Sequence, residues 1–285
     1  LFGATGDLAM RKLLPCLYQA HVAGLLNPQG RILGVSRSDL DTAGFLAKVE
    51  TNSKIHVKQN FSDDAWASFV KRIEYLKVDV TQEADFAALG EKVKARKETD
   101  NVIIYLSTAP KFFAQACENL AKIGLNADNA RVVLEKPLGT DLASSQQINT
   151  DVARYFKESQ IYRIDHYLGK ETVQNIMAMR FANAMFEPLW KANYVDSVQI
   201  TMAEDIGIGT RAGYYDTIGS ARDVIQNHLL QLLALTAMEE PTSMDAASVR
   251  LEKEKVLDCV RLERDGVLDL DMTTARGRYD AGFQG

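Results

Sequence analysis

The order of its apolar segments constrains this chain most: through the first half, short aliphatic runs alternate with stretches of helical periodicity. Alternation of that kind calls for parallel strands joined by helical crossovers, since parallel neighbours cannot be closed by a tight turn. A two-residue strand remnant, Leu1 and Phe2, feeds a helix over residues 8–23, and RILGVS at 31–36 reads as the next strand. A polar, helix-poor stretch then leads to IEYLKVDV at 73–80, followed by an amphipathic helix through Phe86, Leu89 and Val93. NVIIYLS at 101–107 is the strongest buried strand, a helix follows over 112–121, and ARVVLEKP at 130–137 is an apolar run ending abruptly in charge. Further on the rhythm changes: residues 168–181 read as a helix, and VDSVQITMAE at 195–204 alternates with period two, like a strand with one wet face. Two more helices are expected over 220–238 and 247–263. The expected architecture is a Rossmann-like α/β dinucleotide-binding domain over residues 1–163, then an α+β domain over 164–285 with an incomplete antiparallel sheet.

Composition narrows the function classes. A net charge of −5 disfavours nucleic acid or an anionic membrane as the main partner, so any phosphate site must be local and built from a few placed cations. The three cysteines, Cys16, Cys117 and Cys259, are widely spaced and form no C-x-x-C pair, which fits a reduced, cytoplasmic protein without a disulfide frame or a metal site. No apolar run approaches the ~20 residues of a membrane span. Leu1 and Phe2 stand directly before a glycine turn, and the chain stops on the loop-like RYDAGFQG. It reads as an internal piece of a longer protein.

Two regions carry chemistry. Gly3-Ala4-Thr5-Gly6-Asp7-Leu8-Ala9 lies between a strand remnant and a helix, where glycine lets the backbone approach a pyrophosphate seated on the helix N-terminus. The spacing departs from G-x-G-x-x-G. After the second strand, an NAD-binding chain places an acid for the ribose 2′-hydroxyl; this chain has Arg37 and Ser38, a cation and a hydroxyl suited to a 2′-phosphate, with Lys12 able to add charge. Taken singly, Arg37 is an ordinary solvated loop arginine; in this position it favours NADP.

Glu135-Lys136-Pro137 falls at the carboxyl end of a parallel strand, where doubly wound sheets bind ligands. There Lys136 can meet a sugar hydroxyl, while Pro137 fixes the backbone beside a nicotinamide. Residues 163–171, RIDHYLGKE, are the densest polar cluster and run into a helix starting near Gly169 or Lys170. Imidazole, phenol and ammonium at a helix start suit a phosphate dianion. His228 faces the packed side of an otherwise apolar helix, beside Asp223 and Asn227. Alone, such a histidine reads as a satisfied core group. Glu204 shares strand parity with Ile200 and Met202, pointing inward or, as a strand end, into water.

Together GATGDLAMRKLLP (3–15), GVSRSD (34–39), RVVLEKPLGT (131–140), RIDHYLGKE (163–171), AGYYD (212–216) and RDVIQNHLLQLL (222–233) resemble the glucose-6-phosphate dehydrogenase family, most closely its bacterial members. The resemblance implies NADP as cofactor, glucose 6-phosphate as substrate, no nucleic-acid or membrane partner, and a homodimer or homotetramer. It implies His228 as general base, with Asp165 orienting it and stabilising its imidazolium. His166, Tyr167 and Lys170 would hold the substrate phosphate, and Lys136, Glu204 and Asp223 would meet the sugar. The turn Gly3, Ala4, Thr5, Gly6, Asp7 and Leu8, with Lys12, Arg37 and Ser38, would hold NADP. Asp79 and Val80 would line its adenosine side, and Lys136 and Pro137 its nicotinamide side. A sugar oxidoreductase of the glucose–fructose oxidoreductase type shares the E-K-P but lacks RIDHYLGKE. A non-catalytic NADP-binding redox sensor would lack the base or the phosphate cluster, and both are present here.

Overall fold

The structure is a computed structural model, and it describes residues 1–57, 61–94, 101–203, 207, 212–261, 263, 267 and 269–277. It falls into two compact units, Leu1–Asp165 and His166–Gly285.

In the first unit β1 (Ile32–Ser36) pairs in parallel with β2 (Ile73–Lys77), and β3 (Val102–Leu106) with β4 (Ala130–Glu135), which pairs in turn with β5 (Ile161–Ile164). The remnant Leu1–Phe2 joins the two half-sheets. Phe2 bridges in parallel to both Val35 and Leu106, donating to the Tyr105 carbonyl at 2.9 Å and accepting from the Ser107 amide at 3.1 Å. Counting the remnant as the first strand, the order is 3-2-1-4-5-6, the doubly wound Rossmann arrangement expected from the alternating pattern.

Strand parity separates the two faces of this sheet. Ile73 and Tyr75 of β2 pack into one core with Met10, Leu14, Tyr18, Phe45, Val49 and Phe69. Leu76 and, from β1, Leu33 and Val35 point the other way, into a core with Phe86, Phe113, Leu120 and Phe156. Alternate residues of a strand address opposite faces, so both faces are buried, as parallel strands require. Helix α1 (Leu14–Val22), entered through a π-helical turn at Ala9–Leu13, and α2 (Thr42–Val57) and α3 (Asp63–Phe69) supply the first core. Helices α4 (Asp85–Lys94), α5 (Phe113–Lys122) and α6 (Leu142–Ala153) supply the second. Asp141 fixes the start of α6 through a reciprocal capping box with Ser144.

The polar stretch after β1 was expected to be poor in helix, and α2 and α3 correct that. Phe45, Val49, Ser53 and Val57 recur every four residues and are all buried, so a narrow stripe anchors α2 although most of its surface is polar.

In the second unit α7 (Glu171–Phe181), α9 (Leu230–Ala237) and α10 (Ala246–Cys259) pack around Val173, Leu235 and Met238. Helix α8 (Ala212–Ser220) precedes α9, and a short α11 (Leu270–Thr273) follows α10. Arg180, only 6% exposed, donates 2.6 Å bonds to the carbonyls of Leu235 and Met238. It thereby satisfies the C-terminal end of α9, where helix carbonyls lack partners of their own. The strand expected over 195–204 is absent from its described part, 195–203. Its period-two pattern finds no partner strand among the described residues, and an unpaired strand leaves its backbone groups unmet. Residues 221–229 were expected to continue one α-helix, but Ala221–Leu229 is π-helical before α9 begins. Among the described residues no helix is long and apolar enough to cross a membrane.

Candidate functional site

The glycine turn lies at the crossover between the half-sheets, where doubly wound folds bind their ligands. Gly3 has φ +71°, and a Cβ there would stand 2.1 Å from the Ser107 carbonyl oxygen, so only glycine fits. Its own carbonyl accepts from the Gly6 amide at 2.9 Å, and Ala4, fully buried, donates to the Val35 carbonyl at 3.1 Å. Thr5 reaches across to the end of β1, its Oγ1 3.0 Å from both Ser36 Oγ and Ser38 Oγ. Gly6, Asp7, Leu8 and Lys12 remain exposed along the following turn. Arg37 is exposed between Ser36 and Ser38, at the edge of the same turn. The turn therefore opens to solvent at Gly6, Asp7 and Leu8, and Thr5 ties it to the segment that carries Arg37.

Asp79 lies just beyond β2. Its Oδ1 accepts from both the Thr81 amide (2.9 Å) and hydroxyl (2.8 Å). Those bonds, with the charge of Arg37 nearby, hold its carboxyl below the usual carboxylate range. Val80 is held through its carbonyl, which accepts from the fully buried Asn119 side chain at 3.1 Å.

At the far end of β4, Lys136 and Pro137 are half-buried, and the peptide bond between them is cis, a form that an X–Pro pair in a sequence does not by itself imply. The Tyr105 hydroxyl on β3 donates to the Glu135 carboxylate, the residue just before Lys136. Burial, and then this carboxylate, push the Tyr105 phenol well above its ordinary range. Sequence reasoning missed this pairing; the signal was a single tyrosine in an otherwise aliphatic strand, beside a strand that ends in an acid.

The second unit gathers the remaining polar residues. His166, Tyr167 and Lys170 occupy a 3₁₀ turn and the N-cap of α7. His228, 2% exposed, comes from the π-helical segment. Its ring stacks on Tyr167 (4.2 Å, 14°) and meets the edge of His166 (4.6 Å, 71°). Lys170 places its ammonium 3.7 Å over the Tyr167 ring, a cation–π contact, and the Tyr167 hydroxyl lies 2.8 Å from the Met202 sulfur. His166 and Lys170 are exposed, so a cation and an imidazole sit at a helix start beside a buried second imidazole. Such a group can hold a phosphate and move a proton. Asp223 is half-buried on the same segment as His228. Asp165 closes the first unit and is half-buried, while Glu204 lies outside the described residues.

The chain is thus a doubly wound α/β unit followed by a unit that carries a histidine–tyrosine–lysine cluster at a helix start. Comparison with known proteins gives the family. Residues 1–175 match the family described as "Glucose-6-phosphate dehydrogenase, NAD binding domain" and residues 177–285 its C-terminal domain. The chain belongs to the glucose-6-phosphate dehydrogenase family. It is 48% identical to glucose-6-phosphate 1-dehydrogenase 2 of Mycobacterium tuberculosis over 293 residues, covering 100% of this chain and 56% of that protein. It is 46% identical to the Zymomonas mobilis glucose-6-phosphate 1-dehydrogenase, covering 100% of this chain and 58% of the relative. A crystal structure of the Mycobacterium avium enzyme superposes with a TM-score of 0.82 at 37% identity, over 90% of this chain and 56% of that one. A structure titled as glucose-6-phosphate dehydrogenase with its substrate glucose 6-phosphate matches equally well, TM-score 0.82 at 37% identity, over 90% of this chain and 54% of the other. The chain thus spans little more than half the length of the relatives it matches.

Proposed function

We propose that the full protein containing this chain oxidises C1 of glucose 6-phosphate to 6-phosphogluconolactone, the first step of the oxidative pentose phosphate route, using NADP. The carrying observation is the packing of His228 against Tyr167 and His166, with the Lys170 ammonium over the Tyr167 ring. NADP supplies the hydride acceptor. His228 takes the proton from the C1 hydroxyl as hydride leaves that carbon, a task for a base near neutral pKa. Asp165 is assigned to orient and stabilise its imidazolium. His166, Tyr167 and Lys170 hold the phosphate by charge-assisted bonds, and Lys136, Glu204 and Asp223 meet the sugar hydroxyls.

The turn Gly3–Leu8 suits a pyrophosphate because it leads from the sheet into a helix start with Gly6, Asp7 and Leu8 open to solvent. Arg37 and Ser38, with Lys12, receive the 2′-phosphate, Asp79 and Val80 the adenosine side, and Lys136 and Pro137 the nicotinamide side. The functional boundary between nucleotide and substrate domains is placed after residue 163. A cytoplasmic homodimer or homotetramer completes the reading, supported by the family alone.

The test is reduced-nicotinamide formation by the full-length protein given glucose 6-phosphate or glucose, each with NADP or NAD. Turnover with the phosphate ester alone, and faster with NADP, is expected. No turnover by a protein that still binds NADP would overturn the enzyme reading in favour of a redox sensor.

A further inference from the structure

Tyr75 sits in mid-β2, opposite Gly34, with its ring stacked on Phe45 (4.8 Å, 25°) and 5% of its surface exposed. Phenylalanine would fill that place equally well, so the hydroxyl calls for an explanation. It lies 2.7 Å from the Ser38 carbonyl, 2.8 Å from Ser36 Oγ and 3.1 Å from the Ser36 carbonyl. A phenol has one proton, and carbonyls only accept. Tyr75 therefore donates to a carbonyl, best placed at Ser38, and must accept from the Ser36 hydroxyl. Ser36 Oγ in turn accepts from the Thr5 hydroxyl at 3.0 Å and from the Ser38 amide at 3.3 Å. With its proton committed to Ser36, Thr5 accepts from Ser38 Oγ at 3.0 Å. The result is a directed ring, Ser38 to Thr5 to Ser36 to Tyr75 and back to the Ser38 carbonyl. It ties the glycine turn to the segment carrying Arg37.

We propose that Tyr75 is a positioning residue for 2′-phosphate recognition, its hydroxyl fixing the backbone of Ser36–Ser38 so that Arg37 and Ser38 face a phosphomonoester on the cofactor ribose. This rests on the reading of Arg37 and Ser38 given above. On binding, Ser38 needs only to release Thr5 and turn its hydroxyl to the phosphate; the bonds from Thr5 to Ser36 and Ser36 to Tyr75 stay, so the loop does not reorganise. Tyr75 itself touches no cofactor.

The experiment measures equilibrium binding of NADP and of NAD to the full-length protein, its Tyr75→Phe and Ser36→Ala variants, and an Arg37→Ala control. Tyr75→Phe keeps the ring and its stack on Phe45. It is expected to weaken NADP about tenfold, the scale of one lost hydrogen bond between buried groups, and to change NAD less than about twofold. Ser36→Ala, which removes the bridging oxygen, should lower the NADP-over-NAD ratio in the same direction. Equal weakening of both cofactors, or an unchanged ratio, would show a merely structural hydroxyl and overturn the proposal. A wild type that does not prefer NADP, or a preference that survives Arg37→Ala, would overturn the 2′-phosphate reading and this inference with it.

Discussion

Replacing Gly3 with alanine puts a methyl carbon 2.1 Å from the Ser107 carbonyl oxygen, in a residue held at φ +71°. Two costs combine. The left-handed backbone alone disfavours an L-residue by about 1–2 kcal/mol. The collision adds to it, because the obstacle is backbone and cannot swing aside. Relief requires the remnant strand and the end of β3 to part, which breaks the 3.1 Å bond from the Ser107 amide to the Phe2 carbonyl. Leaving that pair unmet costs about 1–3 kcal/mol more. Gly24 gives an internal control: its φ is +69°, but a Cβ there meets nothing within 4 Å, so Gly24→Ala carries the backbone cost alone. Calorimetric melting of both variants in the full-length protein should show a fall for Gly3→Ala about twice that for Gly24→Ala. NADP affinity should fall only in the former. Equal melting shifts, or a larger one at Gly24, would refute the claim that close approach at the sheet crossover excludes a side chain.

Other expectations are independent of that junction. His228→Asn should lower kcat by about 10²–10⁴ while substrate binding stays nearly intact, read by steady-state kinetics; a raised KM at unchanged kcat would rule out the base. Arg180→Met leaves the Leu235 and Met238 carbonyls without their donor, at about 1–3 kcal/mol for each acceptor left buried, and should speed amide exchange along α9. Burial pushes the Cys117 thiol up to about 12. Peptide mapping after alkylation of the native protein should therefore find Cys16 and Cys259, both exposed, modified and Cys117 spared until unfolding. His21 has its pKa lowered by burial and then by Arg72, and its ring lies 2.6 Å from Ser68 Oγ. The unfolded chain then takes up this proton first, so stability present above pH 6.5 is lost as pH falls below it. Urea unfolding across that range should show a shallower acid loss in His21→Gln than in wild type.

The parallel sheet was legible because its strands are short β-branched and aliphatic runs separated by helix-length intervals, and burial on both faces writes that pattern plainly. Helix α2 was not legible: its buried stripe is one residue wide, includes Ser53, and runs among threonine, asparagine and glycine, which favour other conformations. The strand expected over 195–204 failed for the converse reason, since alternation describes one strand and says nothing about a partner. At the site, the turn and the strand-end lysine followed from position in the fold. The approach of His228 to His166 and Tyr167 joins residues far apart in sequence, and only the family resemblance anticipated it. The Tyr75 ring of hydroxyls was invisible in the sequence, because each serine and threonine in it is unremarkable until the chain brings them together.

The π-helical stretch Ala221–Leu229 has a consequence for how this sequence tolerates length change. A wide turn is in effect an α-turn with one residue inserted, absorbed locally instead of pushed into a loop. Deleting a single residue between Asp223 and His228 would let the backbone relax to regular α spacing with its hydrogen bonding intact. The phase would be kept: a wide turn holds its extra residue within the same rotation, so each residue ahead of the deletion would keep its direction about the helix axis relative to His228. Asp223, five residues before the histidine in the π-helical segment and four before it after the deletion, would stay on the histidine's face while the core around Leu235 remained seated. The segment is thus a place where the chain can give up one residue with its helical phase intact, and a one-residue gap here would leave both the fold and the facing of Asp223 and His228 in place.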